Sequence, residues 1–190
     1  KNTYDLVDSG FKEDGYVNSY SFIKQLSDKL QDNHIITTDM GTALLSGHQA
    51  INLKKNQTMF TSLGLGEMGY GLPGAIGAAF ACPDRPVLCL NCDGGIMMNL
   101  QEAHTIIENN LNIKIVIFNN DGYLMIKHTQ KMLFNNKFAG VDSNTGLTLP
   151  KFKLLVDCIL FDILFLIPTA GWSKKYVSVL VSLNVLAVVF

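Results

Sequence analysis

Positive charge is not in excess in this sequence: fifteen Lys and Arg stand against sixteen Asp and Glu, a formal net charge of -1 over 190 residues. Without a basic surface to draw in a polyanion, the chain is not built to hold nucleic acid. Apolar runs long enough to cross a bilayer are also missing. Leu154 to Ile167 and Tyr176 to Phe190 are strongly apolar, but Asp157, Asp162, Pro168 and the Lys174-Lys175 pair keep them short of the ~18 uninterrupted residues a spanning helix needs. A membrane partner is therefore not expected. The opening segment, Lys1 to Gly15, has neither an initiator Met nor the apolar stretch of a signal peptide, and is expected to be a linker from a preceding domain of a longer protein. Cysteines number four (Cys82, Cys89, Cys92, Cys158) and lack metal-type pairing. Cys89-x-x-Cys92 has redox spacing but lies inside a strand-like run, so reduced thiols in a cytoplasmic protein are expected. His34, His48, His104 and His128 show no ligand spacing. Internal repeats and low-complexity segments are absent. What remains, 48% apolar and 16% charged, describes a packed globular core.

Asn18 or Ser19 can cap a helix running to about Leu30, with Phe22, Ile23, Leu26 and Leu30 on one face. His34 to Thr38 reads as a strand opening at Asp39 and Gly41 into a loop, and Gln57 to Ser62 as a weaker one. A glycine-rich stretch follows from Gly64 to Gly74, then small apolar residues from Ala75 to Ala81, as expected for a helix lying tightly on a sheet. Val87 to Asn91 and Ile113 to Phe118 are apolar at nearly every position, which suits central parallel strands covered on both faces. Between them, Asn99 to Asn110 reads as the crossover helix, with Leu100, Ala103, Ile106 and Ile107 inward. A helical stretch from Tyr123 to Leu133 and a polar loop to Pro150 complete a three-layer α/β pattern with a mainly parallel sheet.

Two motifs could carry chemistry. Gly64-x-Gly66-x-x-Gly69 matches the dinucleotide fingerprint, with Asp93 as a ribose-binding acid, so a nicotinamide-binding Rossmann domain is one reading. Against it, Gln57 to Ser62 is a poor buried strand. The other motif is a pair of strand ends, Cys92-Asp93-Gly94-Gly95 and Asn119-Asn120-Asp121-Gly122, with Asp93 and Asn120 27 positions apart. Taken singly, Asp93 could be a helix-start acid and Asn119-Asn120 an ordinary turn. Adjacent parallel strands bring both ends to one sheet edge, where open α/β folds bind ligands. There a carboxylate and an amide oxygen are hard ligands suited to Mg²⁺, which completes its shell with phosphate oxygens and water. The two glycines after Asp93 expose N–H groups to a diphosphate.

These residues resemble the thiamine-diphosphate-dependent enzymes of the acetolactate synthase and pyruvate decarboxylase group. That family holds a metal diphosphate with a Gly-Asp-Gly turn and an Asn-Asn pair. Gly64 to Ala79 (GLGEMGYGLPGAIGAA) is similar to the acetolactate synthase segment against the aminopyrimidine ring. Ile126 to Gln130 and Gly146 to Pro150 resemble the acetolactate-synthase-like branch. The resemblance covers roughly Gly15 to Cys158. It implies a thiamine-diphosphate-binding domain over residues 16–158 and decarboxylation of a 2-keto acid with carbon–carbon bond formation. By the same resemblance, Asp93, Asn120 and the backbone oxygen of Gly122 would bind Mg²⁺, and Gly94, Gly95 and Thr42 would contact the diphosphate. Met68 would be the wedge beneath the thiazolium, and Gly66 and Met68 would offer backbone groups to the aminopyrimidine.

The family pattern is departed from in two places. Cys92 stands where the first glycine of Gly-Asp-Gly is usual, a change expected to be tolerated. The family's catalytic glutamate belongs to a pyrimidine-binding domain that precedes this one and comes from a partner subunit. Glu67 is not that residue, so none of the catalytic residues is expected here. The chain should act only within a homo-oligomer of at least two subunits, and a non-catalytic or defective fragment is the alternative. Residues 159–190 look atypical of the family, as a truncated or frame-altered tail whose sheet strands would be missing.

Overall fold

The computed structural model describes residues 17–152, together with the strand segments 164–168, 179–182 and 185–188. The expected linker over residues 1–15 and Cys158 lie outside the described residues. Helix α1 (Ser19–Lys29) starts where expected: the Asn18 side chain accepts the Ser21 N–H at 3.0 Å. Strand β1 (Ile35–Thr38) follows, then α2 (Thr42–Ala50), β2 (Thr58–Phe60), α3 (Gly71–Ala81) and β3 (Val87–Cys92). The chain continues through α4 (Asp93–Ile96), α5 (Ala103–Glu108), β4 (Ile113–Asn119) and α6 (Leu124–Leu133).

β1 to β4 form one parallel sheet in the order β2-β1-β3-β4, and β5 (Leu164–Pro168) adds a fifth parallel strand beside β4. Thus a segment of the expected atypical tail pairs with the sheet. β6 (Val179–Ser182) and β7 (Val185–Val188) pair antiparallel in a separate sheet.

All six residues of β3 are buried because the sheet is covered on both faces. Side chains alternate along it. Val87 and Cys89 point into a core with Leu72, Ala75 and Ile76 of α3 and with Ala103 and Ile106 of α5. Leu88, Leu90 and Cys92 point into a second core with Ile23 of α1 and Ala43 of α2. This is the expected three-layer sandwich. It also explains why Cys89 and Cys92 are free thiols: they lie on opposite faces of one strand.

Several local expectations need correction. The glycine-rich stretch does not run on to Gly74; α3 starts at Gly71, where small residues admit the helix against Asp39. The crossover from β3 to β4 is not one helix from Asn99: one turn begins at Asp93, a 3₁₀ turn spans Leu100–Glu102, and α5 follows. The break rotates the face, so Ile106 is 1% exposed whereas Ile107 is 48% exposed. α2, whose mixed sequence has little helical periodicity, is set by tertiary packing of Ala43, Ser46 and Gly47.

Candidate functional site

The carboxyl ends of β1, β3 and β4 surround a cavity of about 280 Å³. Thr42, Gly66, Met68, Asp93, Gly94, Gly95, Asn120 and Gly122, the eight positions singled out in the sequence, all line it. Parallel pairing is the cause: Cys92 is in register with Phe118, so the turns after β3 and β4 leave the sheet side by side.

Asp93 is 1% exposed and stitches the two turns together. One carboxylate oxygen accepts the Gly94 N–H at 2.8 Å, and the other accepts those of Asn120 at 2.8 Å and Gly122 at 3.0 Å. Burial pushes its pKa up to about 6, against the pull of these three N–H groups, and Asp121 nearby adds to the rise. The Thr42 hydroxyl donates to Asn120 Oδ1 at 3.5 Å, bringing the α2 start to the β4 turn. Gly122 has φ +136°, and a Cβ there would lie 2.1 Å from the Val141 oxygen, so no other residue fits without backbone movement.

The turn after Asp93 has room for nothing larger than glycine. A Cβ on Gly94 would lie 2.4 Å from the Tyr123 ring and 3.2 Å from Met68 Cε; one on Gly95 would lie 2.1 Å from Asp39 Oδ2. Bare backbone there faces the cavity together with the sulfur-bearing Met68 and the ring of Tyr123. This cradle, beside a buried carboxylate and an amide oxygen, fits a metal-bound diphosphate: hard oxygen donors lie next to N–H groups with no side chain in the way.

Cys92 is accommodated because its backbone is extended, with φ -115° and ψ 162°. Its Sγ accepts the Ala43 N–H and donates to the Met40 carbonyl, each at 3.4 Å. Burial pushes the thiol up to about 12. α2 has no side-chain cap of its own, and the Cys92 sulfur takes that place.

Sequence reasoning assigned no site role to Met40, Gly41, Leu124, Met125 and Ile126, which also line the cavity, and read Tyr123 only as the start of a helical stretch. Their signal was position: each follows a strand that ends at the same sheet edge. Asp39, likewise unassigned, is 0% exposed and accepts the Gly69 N–H with both oxygens at 3.0 Å. Glu67 and the four histidines are not among the lining residues.

A strand edge of this kind, with an acid-glycine turn beside an Asn-ended strand, defines a diphosphate-cofactor domain of α/β type. The family described as thiamine pyrophosphate enzyme, C-terminal TPP binding domain, matches residues 39–159, and the chain belongs to it. The match disfavours the nicotinamide reading. In keeping with this, the candidate fingerprint follows an edge strand of three residues, and its glycines precede α3 rather than open it.

Relatives include the acetolactate synthase isozyme 1 large subunit of Escherichia coli (strain K12), 48% identical over 60% of this chain and 20% of that protein. The isozyme 2 large subunit of the same organism is 38% identical over 62% of the chain and 21% of its own length. The probable acetolactate synthase large subunit of Methanococcus aeolicus is 38% identical over 60% and 19%. The chain thus spans about a fifth of the length of these curated relatives.

Proposed function

We propose that this chain is the diphosphate-binding part of an acetolactate-synthase-like enzyme that decarboxylates a 2-keto acid and joins the product to a second carbonyl compound. The observation that carries this is the convergence of Asp93, Asn120, Gly122 and the bare Gly94-Gly95 turn on one cavity wall. Asp93, Asn120 and the Gly122 carbonyl would hold Mg²⁺, and Gly94, Gly95 and Thr42 would meet the diphosphate oxygens. Met68 would support the bound ring from below, with Gly66 beside it offering backbone to the aminopyrimidine. When bound, thiamine diphosphate supplies the electron sink that lets carbon dioxide leave. Leu124, Met125 and Ile126 present apolar side chains to the cavity and would exclude water from the reacting centre.

Among the described lining residues the carboxylate is that of Asp93, already committed to three N–H groups. By the family resemblance, a proton-transferring glutamate would come from a pyrimidine-binding domain of the same or a partner subunit, in a cytoplasmic homo-oligomer. Among the described residues no helix is long and apolar enough to cross a membrane. Residues 16–158 would form most of the cofactor domain, with 1–15 as linker and 159–190 as an atypical tail whose segment Leu164–Pro168 adds a strand to the domain's sheet.

Calorimetric titration with thiamine diphosphate tests the reading, run with Mg²⁺, with chelator, and on Asp93→Ala. Binding that requires Mg²⁺ and disappears in the variant is expected. Binding that is indifferent to both would sink it.

A further inference from the structure

Two walls of the cavity rest on one buried carboxylate that none of the proposed cofactor contacts includes. Asp39 ends β1 and is 0% exposed. Its Oδ1 and Oδ2 each accept the Gly69 N–H at 3.0 Å, and Oδ1 also accepts that of Met40 at 2.8 Å. Gly69, at φ +92°, closes the loop that carries Gly66 and Met68. On its other side the same carboxylate is covered by the turn after β3: a Cβ on Gly95 would lie 2.1 Å from Asp39 Oδ2 and 2.8 Å from Asn91 Oδ1. A Cβ on Gly71 would lie 2.9 Å from Asp39 Cβ and 3.2 Å from Asn91 Nδ2. Asn91 is itself 0% exposed and is held by the Cys92 N–H on its Oδ1 at 2.8 Å.

Burying a carboxylate with no counter-ion at hand is costly, and hydrogen bonds from N–H groups offset that cost only where the backbone stays in place. Asp39 therefore holds the loop as firmly as the loop holds Asp39. From the outer side Asn99 Nδ2 donates to the Gly69 carbonyl at 2.6 Å, so Gly69 is gripped at both its N–H and its C=O.

We infer that Asp39, with Asn91 packed beside it, is a positioning residue that sets the spacing between the Gly66–Gly69 loop and the Gly94–Gly95 turn. It thereby selects a ligand with a ring system at a fixed reach from its diphosphate. This rests on the function proposed above and adds to it a residue that touches no ligand. The spacing matters to a molecule that engages both walls, and not to one that engages the turn alone.

Two probes separate these cases in the 190-residue chain: thiamine diphosphate and inorganic diphosphate, each titrated calorimetrically with Mg²⁺ into wild type and Asp39→Asn. The Asn side chain keeps the shape but replaces one acceptor by a donor facing Gly69. Thiamine diphosphate affinity is expected to fall about tenfold or more and inorganic diphosphate affinity by less than about threefold, the scale of one lost charged hydrogen bond. Amide exchange of the peptide 64–70 should accelerate while that of β4 stays unchanged.

Should Asp39→Asn fail to fold, Gly71→Ala pushes a methyl against Asp39 without altering any proposed ligand contact, and the same selective loss is expected. Equal losses for both probes, or no loss, would overturn the inference and reduce Asp39 to a fold residue. A wild-type chain that binds neither probe would instead overturn the proposed function, and this inference with it.

Discussion

At Asp93 burial and hydrogen bonding pull the carboxyl in opposite directions, and burial wins, setting its pKa at about 6 against an ordinary 3.8. A carboxyl that binds its proton more tightly in the fold than in the unfolded chain contributes stability below about pH 4, and this is lost as pH rises through 6. A shift of this size corresponds to about 3 kcal/mol. In metal-free protein the melting temperature should therefore fall between about pH 4 and pH 7, and Asp93→Asn should flatten that slope while losing one acceptor for the backbone. Thermal melts of both proteins across this range check it; equal slopes would refute it. The cysteines give a second prediction at this scale. Burial pushes Cys89 and Cys92 up to about 12, whereas Cys82 is half-buried at the end of α3. At neutral pH an alkylating reagent should label Cys82 in the native chain and reach Cys89 and Cys92 only on unfolding, as peptide mapping would show.

Among the elements, the broken crossover after β3 has the clearest energetic consequence. α4 starts directly at Asp93, leaving the Gly94 and Gly95 backbone at the cavity wall, and the 3₁₀ turn then resets the helical phase before α5. Ile106 faces the α3 core and Ile107 faces out. Ile106→Ala should cost about 2–5 kcal/mol of folding stability and Ile107→Ala about 0.5 kcal/mol or less. Denaturant melts would read this difference, and similar costs would contradict the observed phase. α6 differs again, for it buries none of its residues. It is tied down at its start, where the Tyr123 N–H meets the Val141 carbonyl, and along its flank by the 2.6 Å Lys127–Asp142 ion pair.

At the scale of the molecule, the sheet divides the apolar interior into two cores, and the buried carboxyl groups among the described residues, Asp39 and Asp93, both lie at its carboxyl edge. Asp93 is buried there and lines the cavity with Asn120 and Gly122, the proposed metal ligands, at the ends of β3 and β4. Magnesium with thiamine diphosphate should therefore stabilise the whole domain and not just its loops. Ligand at about a hundred times its dissociation constant adds about 2.7 kcal/mol to the unfolding free energy. The melting temperature should rise with Mg²⁺ and thiamine diphosphate together, and chelator should abolish the rise. A rise that survives chelation would point to a ligand held without the metal.

The sequence by itself determined the strands β1, β3 and β4, because runs such as Val87–Asn91 and Ile113–Phe118 can be satisfied only by burial on both faces. It also determined the strand-end residues, since Asp93 and Asn120 stand at the close of those runs whatever the surrounding loops do. Tertiary structure alone decided the remainder. α2 lacks strong periodicity and exists through its packing on α1 and the sheet, and the phase of α5 depends on a break that no spacing announces. The role of Asp39 was hidden for the same reason. Its partner Gly69 is 30 residues away, and a hydrogen bond between such distant groups is made by the sheet that brings them together.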